Sequence, residues 1–256
     1  MRRAPKRKKK GGALKAVLII LVVIAATVNA FCIFKLTGIM RDYKTAEDAY
    51  KEIEALFLGD TGDFENPDFQ WDYDKLLALC ADAKGYIYQK GIMSYPIVQG
   101  VDNEQYLRAL MSGEYSVTGT IFVDYRCEQA LDSMYAIVYG HNMDNDTIFG
   151  SLSHYEDEEY YNEHPYFDIY AGYKHYRYYV FSAFVTDVES YVYETDQEEE
   201  GRKAFYDRLR AECSYETDVR ELTAEDHVLT LSTCVDWHDY DYRYIVCLVR
   251  GEEIAD

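Results

Sequence analysis

The stretch His227–Cys234, HVLTLSTC, is a β-prone run of apolar residues and threonines that ends on a cysteine. Valine, leucine and threonine in this pattern suit a strand, so Cys234 stands where the strand gives way to a loop. Side chains and backbone donors converge on a groove at such an end. A thiol with an ordinary pKa of about 8.5 is only ~3% thiolate at pH 7 and needs a base or cation beside it to act as a nucleophile. Two segments offer these groups: YGHN (Tyr139–Asn142) holds His141, and DYRYIV (Asp241–Val246) holds Arg243. Each residue also has an ordinary explanation. A cysteine closing an apolar run is commonly a small core residue, a histidine after a strand is often a surface group, and an arginine is often half of an ion pair. The chain has 6 histidines, and spacing alone does not select His141 over His164 or His227.

Outward from this stretch the texture is that of strands. GYIYQK, YPIVQG, GTIFVDYR, MYAIVYGH, YRYYVFSAFVTDVESYVY and RYIVCLVR are dense in β-branched and aromatic residues. Helical periodicity predicts helices over RDYKTAEDAYKEIEALFLGD (Arg41–Asp60) and WDYDKLLALCADA (Trp71–Ala83), with a Gly/Asp/Pro loop, GDTGDFENPD (Gly59–Asp68), between them. Three helical inserts interrupt the strands: NEQYLRALM (Asn103–Met111), a segment after Asn145, and DQEEEGRKAFYDRLRAEC (Asp196–Cys213). Seven or eight strands with inserted helices give a mainly β, α+β fold, a closed or nearly closed barrel or a sandwich. Regular βαβ alternation and a Gly-rich phosphate loop are missing, which argues against a nucleotide-binding α/β fold.

Residues Met1–Lys15 carry eight cations and no acid, and Ala16–Phe34 run 19 residues without a charge. As a helix that run is roughly 28 Å long, close to the hydrocarbon thickness of a bilayer. A cleaved signal peptide is the alternative, with TVNA (Thr27–Ala30) as its cleavage region, but signal-peptide apolar regions are typically about 7–15 residues. A signal anchor puts the N-terminus in the cytoplasm and the remainder outside. The expected organisation is a basic tail over 1–15, a membrane span over 16–34, a helical stalk and linker over 35–69, and a catalytic domain over 70–256. The first 35 residues hold nine of the 26 cations, leaving 17 against all 46 acids, a formal −29. Such an acidic ectodomain argues against nucleic acid as a partner. The 27 tyrosines suit strands, having an apolar body and a polar tip. None of the 6 cysteines stands at a metal-ligand spacing, so zinc is not expected. With Cys32 in the span and Cys234 free, Cys80, Cys127, Cys213 and Cys247 allow three pairings or stay reduced. DNDT (Asp144–Thr147) lacks the third spaced carboxylate and the closing Glu of an EF-hand, so no metal and no cofactor are expected.

The wording of several blocks is more specific. YPIVQGVDNEQYL (Tyr95–Leu107), GTIFVDYRC (Gly119–Cys127), YGHNMDNDTIFGSL (Tyr139–Leu152), His164–Pro165, YYVFSAFVTD (Tyr178–Asp187), LTLSTC (Leu229–Cys234) and RYIV (Arg243–Val246) follow one order. In these the chain closely resembles the class B sortases, membrane-anchored cysteine transpeptidases of Gram-positive bacteria. The 93-residue separation of His141 and Cys234 and the helical insert before the catalytic strand are similar to class B. The resemblance implies a closed β-barrel of about eight strands. It implies that Cys234 attacks the threonine carbonyl of an LPxTG/NPxTx-like sorting signal on a secreted protein, forming a thioacyl-enzyme. His141 moves the protons and Arg243 faces the carbonyl oxygen or holds the peptide. The acyl group then passes to an amine of a cell-wall precursor or of a pilin. Asn103 and Asp236 match positions near the family's active site, where either orients His141 or the substrate, or serves as a turn residue. Ser232 and Thr233 line the groove or pack the strand. The competing functions are a pilin-polymerising sortase, a hydrolytic thiol protease, and a catalytically silent anchored scaffold.

Overall fold

The structure, a computed structural model, describes residues 11–57, 70–236 and 239–254. The chain divides into two units, residues 1–45 and 46–256. The first helix, α1 (Gly11–Ala55), begins in one and ends in the other. In the first unit the side chains from Val17 to Phe34 are exposed, and α1 is long and apolar enough to cross a membrane. Residues 1–10 of the expected basic tail (1–15) and the loop over Gly59–Asp68 lie outside the described residues.

The second unit is a closed barrel of eight strands. Its strands are β1 (Ala83–Gln89), β2 (Met93–Val98), β3 (Ile121–Val123), β4 (Tyr135–Tyr139), β5 (Tyr166–Ala171), β6 (Lys174–Asp187), β7 (Val228–Asp236) and β8 (Asp239–Ile254). They close in the order β1-β2-β3-β4-β7-β8-β6-β5. Closure leaves no unpaired edge, the usual hazard of an open sheet. Most neighbours are antiparallel, but β2–β3 and β4–β7 are parallel. The parallel β4–β7 pair needs a long crossover. The chain supplies it with the β5–β6 hairpin and the helix α4 (Glu199–Ala211), which buries Phe205, Tyr206 and Leu209 against Tyr135, Phe181 and Val249.

Most expected elements are present. The helical stripe after the apolar run is the end of α1, where Ala46 and Tyr50 are buried, and Phe57 is buried in the turn that follows. The Trp71–Ala83 helix is the shorter α2 (Tyr73–Leu79). The insert after Asn145 is a 3-10 helix (Gly150–Glu156) followed by α3 (Glu158–Glu163). One expectation is corrected: Asn103–Met111 forms turns, not a helix. Its backbone bonds go to the neighbouring segment instead, with Leu110 N–H on the Glu114 carbonyl, Ser116 N–H on Arg108 and Thr120 N–H on Tyr106. Tertiary pairing overrides helical spacing here. One strand was not anticipated: β5 pairs with β6 through a turn in which Gly172 has φ 58°, a value glycine adopts at little cost.

Candidate active site

Register places Cys234. Along β7 and β8, Cys234 stands directly opposite Arg243, and the ladder turns irregular immediately beyond, between Cys234 and Asp236. Residues directly opposite in an antiparallel pair share a face, with Cβ atoms about 4.5–5.5 Å apart. Bulges recur beside active sites because they re-aim a side chain. Cys234 and Arg243 are both half-buried, neither sealed in the core nor fully exposed. The Arg243 guanidinium donates to the Tyr242 carbonyl at 2.8 Å.

His141 arrives from the other side of β7. The parallel β4–β7 ladder ends with Tyr139 opposite Ser232, and Gly140 N–H still donates to the Ser232 carbonyl at 3.3 Å. Two residues further along each strand come His141 and Cys234. The alignment is clamped twice more. The Thr233 hydroxyl donates to the Gly140 carbonyl at 2.8 Å, and the Asn142 amide donates to the carbonyls of Cys234 (2.9 Å) and Val235 (3.1 Å). A side chain on Gly140 would meet the Phe149 ring at 2.7 Å, so the chain needs glycine to pass there. Beyond His141 the loop returns on itself: Asn142 bridges Ile148, and Phe149 N–H donates to the His141 carbonyl at 3.0 Å. Ile148 is held at φ 57°. For a β-branched residue this is a strained conformation of the kind found where surrounding contacts over-determine a site.

The His141 ring is oriented by a backbone carbonyl. Its Nε2 lies 2.8 Å from the Leu107 oxygen. A carbonyl only accepts, so Nε2 carries the proton and the neutral ring keeps its lone pair on Nδ1. Burial lowers the His141 pKa below the ordinary value of 6.5. The Leu107 carbonyl pulls the other way, and the nearby Arg108 charge adds to the lowering. The ring is therefore neutral at pH 7.

Ser232 and Thr233 are buried. Thr233 spends its hydroxyl on Gly140, while Ser232 is 3.1 Å from the Tyr193 hydroxyl. Tyr193 ends a one-turn helix (Tyr191–Tyr193) anchored where the Tyr135 hydroxyl donates to Val192 at 2.7 Å, and its ring stacks on Tyr139. Its hydroxyl is within electrostatic reach of both Arg243 and Cys234. Asn103 is placed differently. It donates to Asp124 at 3.0 Å and accepts from Tyr125 N–H at 3.1 Å. Asp124 is fully buried, gripped by the Arg126 fork (2.9 and 2.8 Å) and by the Tyr139 hydroxyl at 2.9 Å. Burial alone would raise the Asp124 pKa, but these donors outweigh it and hold the carboxyl below its ordinary range. Asp236 pairs with Asp239 through its backbone; its side chain lies outside the described residues.

Tyr193, Asn142 and Leu107 were not singled out from sequence. Asn142 stood within the YGHN block. Leu107 acts through its carbonyl, which every residue possesses, and nothing in YVY marks Tyr193.

The other thiols and imidazoles sit elsewhere. Cys247 is fully buried, accepts from the Thr230 hydroxyl at 3.6 Å, and has its pKa pushed up to about 12 by burial. Cys127 is buried and pushed up to about 11 for the same reason. All 6 cysteines are free thiols. His227 contacts the Ser133 carbonyl before β4, and the His164 ring packs on Tyr160.

A family model, the Sortase domain, matches residues 87–250, more than half of the chain. Sortase B of Staphylococcus aureus (strain NCTC 8325 / PS 47) is 29% identical over 180 residues, 70% of this chain and 73% of that protein. Sortase B of Listeria monocytogenes is 31% identical over 164 residues, 64% of this chain and 65% of that protein. The solved structure of a Staphylococcus aureus sortase B-substrate complex matches with a TM-score of 0.65 and 27% identity, covering 72% of this chain and 85% of that one. The eight-strand barrel, the family match and these relatives together place the chain in the sortase family, as a class B member and a cysteine transpeptidase.

Proposed function

We propose that Cys234, His141 and Arg243 carry out transpeptidation of a sorting signal on a secreted protein. The direct pairing of Cys234 with Arg243, with His141 at the matching end of β4, is the observation that carries this reading. The neutral His141 ring takes the thiol proton on Nδ1. The thiolate attacks the threonine carbonyl of the signal, and the new oxyanion is met by the Arg243 guanidinium. Collapse breaks the peptide C–N bond, and the Nδ1 proton leaves with the departing amine, giving a thioacyl-enzyme. A second amine attacks the thioester, hands its proton to His141 and leaves as the new amide, while the sulfur regains its proton.

Ser232, Thr233 and Asn142 position the strand end rather than touch the reacting carbonyl. Asn103 acts with Asp124 to hold the loop before β4. Asp236 is proposed for the cleft on its place in the chain alone. The apolar segment of α1 anchors the enzyme in the cell membrane with its N-terminus in the cytoplasm, and the acceptor is a cell-wall or pilin amine. The similar Staphylococcus aureus sortase B was solved in complex with substrate, which supports a sorting signal as the ligand class.

The test uses a fluorescence-quenched sorting peptide with and without triglycine. Transpeptidation requires faster turnover and a triglycine-tagged product when the amine is present. Equal rates with hydrolysed product only would point to a thiol protease, and no turnover with any signal would point to a silent scaffold.

A further inference from the structure

Leu107 belongs to the loop between β2 and β3, and that loop is held by a residue from α1. The Tyr50 hydroxyl donates to the Gly119 carbonyl and lies beside the Thr118 and Thr120 hydroxyls. Gly119 has φ 57° and packs directly on the turn that carries Leu107. A Cβ there would meet the Leu107 oxygen at 2.4 Å and the Tyr106 oxygen at 2.7 Å. The Leu107 oxygen is the group that binds His141 Nε2 at 2.8 Å. The same Tyr50 ring also meets Tyr95 edge-on, with ring centres 5.2 Å apart. The Tyr95 hydroxyl meets the backbone of Ile148, which bridges Asn142, the neighbour of His141.

We infer that Tyr50 and Gly119 are positioning residues for His141. Tyr50 on α1 fixes the Leu107 carbonyl through Gly119 and steadies the Asn142–Ile148 loop through Tyr95, so the helix sets the tautomer and angle of the imidazole. Neither residue touches the reacting atoms. The inference rests on the proposed role of His141 but is read on the ring itself. Tyr50 is nearly enclosed, 7% exposed, and Gly119 is the only residue type that fits against the Leu107 oxygen without displacing it.

The experiment uses the full chain in detergent micelles with 15N-labelled histidine. Spectra are taken above about pH 7.5, where an ordinary imidazole is neutral, and the His141→Ala spectrum identifies the His141 signals. In the parent protein one ring nitrogen is protonated and the other bare. Tyr50→Phe removes only the hydroxyl. It is expected to draw the two nitrogen signals together as tautomers mix, and to lower kcat about three- to tenfold with KM unchanged. Gly119→Ala pushes on the Leu107 carbonyl and is expected to do the same more strongly, about ten- to a hundredfold in kcat. Phe57→Leu is the control. It loosens the turn that follows the same helix, where the ring packs on Trp71 and Tyr86. It should lower Tm and leave the His141 signals and kcat alone. If Tyr50→Phe and Gly119→Ala behave like Phe57→Leu, losing Tm with unchanged nitrogen signals and kcat, the inference is overturned. Should Gly119→Ala not fold, Tyr50→Phe decides alone. Full turnover by His141→Ala would overturn the catalytic role of His141 and leave the tautomer result standing.

Discussion

Cys234 and Cys247 lie on adjacent strands of one barrel, and the contrast between them shows what turns a thiol into a candidate nucleophile. Cys247 sits mid-strand on β8, fully enclosed in the core, accepting from the Thr230 hydroxyl, and burial pushes its pKa up to about 12. Cys234 stands at the last regular pair of the β7–β8 ladder, half-buried and opposite Arg243, two residues past the Tyr139–Ser232 pair that ends the β4–β7 ladder. The residue type is the same. What differs is the place on the strand: at the end of β7 a thiol stands opposite a residue of β8 and beside the loop that follows β4, as a candidate nucleophile must if a base and a cation are to reach it.

The largest expected effect breaks this comparison at its sharpest point. Cys234→Ala should lower peptide turnover by at least about 10³-fold, as expected for a lost nucleophile. Cys247→Ala should leave kcat/KM within about twofold and cost stability instead, about 1 kcal/mol. Peptide kinetics and thermal unfolding of the two variants side by side read both. Equal activity of the two would erase the distinction.

The next effect concerns the partner that Cys247 lacks. Arg243→Lys keeps the charge but loses the planar fork. If Arg243 meets the oxyanion, kcat should fall by about 10²–10³-fold, while mass mapping after iodoacetamide still finds Cys234 labelled and Cys247 protected. Labelling of Cys247 in the folded protein would contradict its enclosure.

How far the sequence itself disclosed this arrangement differs between barrel and cleft. The dense β-branched runs of β4, β7 and the middle of β8 are plain in the residues because those stretches are buried. Strand β5 was hidden because Asp168 interrupts its apolar run. That carboxylate is tolerated by its ion pair with Arg177 (3.1 Å) and by the His175 ring 3.5 Å away, partners visible only in three dimensions. Asn103–Met111 carries helical spacing, yet its N–H and C=O groups pair with residues 114–120. Cys234, His141 and Arg243 were picked out as candidates by local wording. Their juxtaposition was not, since it depends on a parallel β4–β7 pairing across some ninety residues. Asn103, expected to orient His141 or the substrate or to serve as a turn residue, donates to Asp124, a partner no spacing rule connects to it.

Two smaller effects sharpen the contrast between cleft and support. Asp124→Asn disrupts the buried network that fixes Tyr139, two residues before His141. It should cost about 2–3 kcal/mol, below the ~3–5 of a fully buried pair, because the Arg126 side chain is 40% exposed. The sign of its pH dependence follows from the lowered carboxyl. The unfolded chain takes up the proton first, so the stabilisation is present above pH ~4 and is lost as pH falls below it. Denaturation at pH 7 and pH 3 should therefore show the parent losing more stability than Asp124→Asn. The smallest effect is at His141, whose pKa burial lowers. Its NMR titration midpoint should lie below about 6.5. The unfolded chain again protonates first, so folding stability drops slightly as pH falls below that value. A midpoint above 6.5 would mean that the ring is not buried as described.

The most direct measurement is intact-mass and peptide mapping of the enzyme quenched during turnover of a sorting peptide. An acyl fragment ending in threonine should be found on Cys234, discharged by triglycine and missing from Cys234→Ala. An acyl group mapped to another cysteine, or undiminished turnover by Cys234→Ala, would contradict the assignment of the nucleophile.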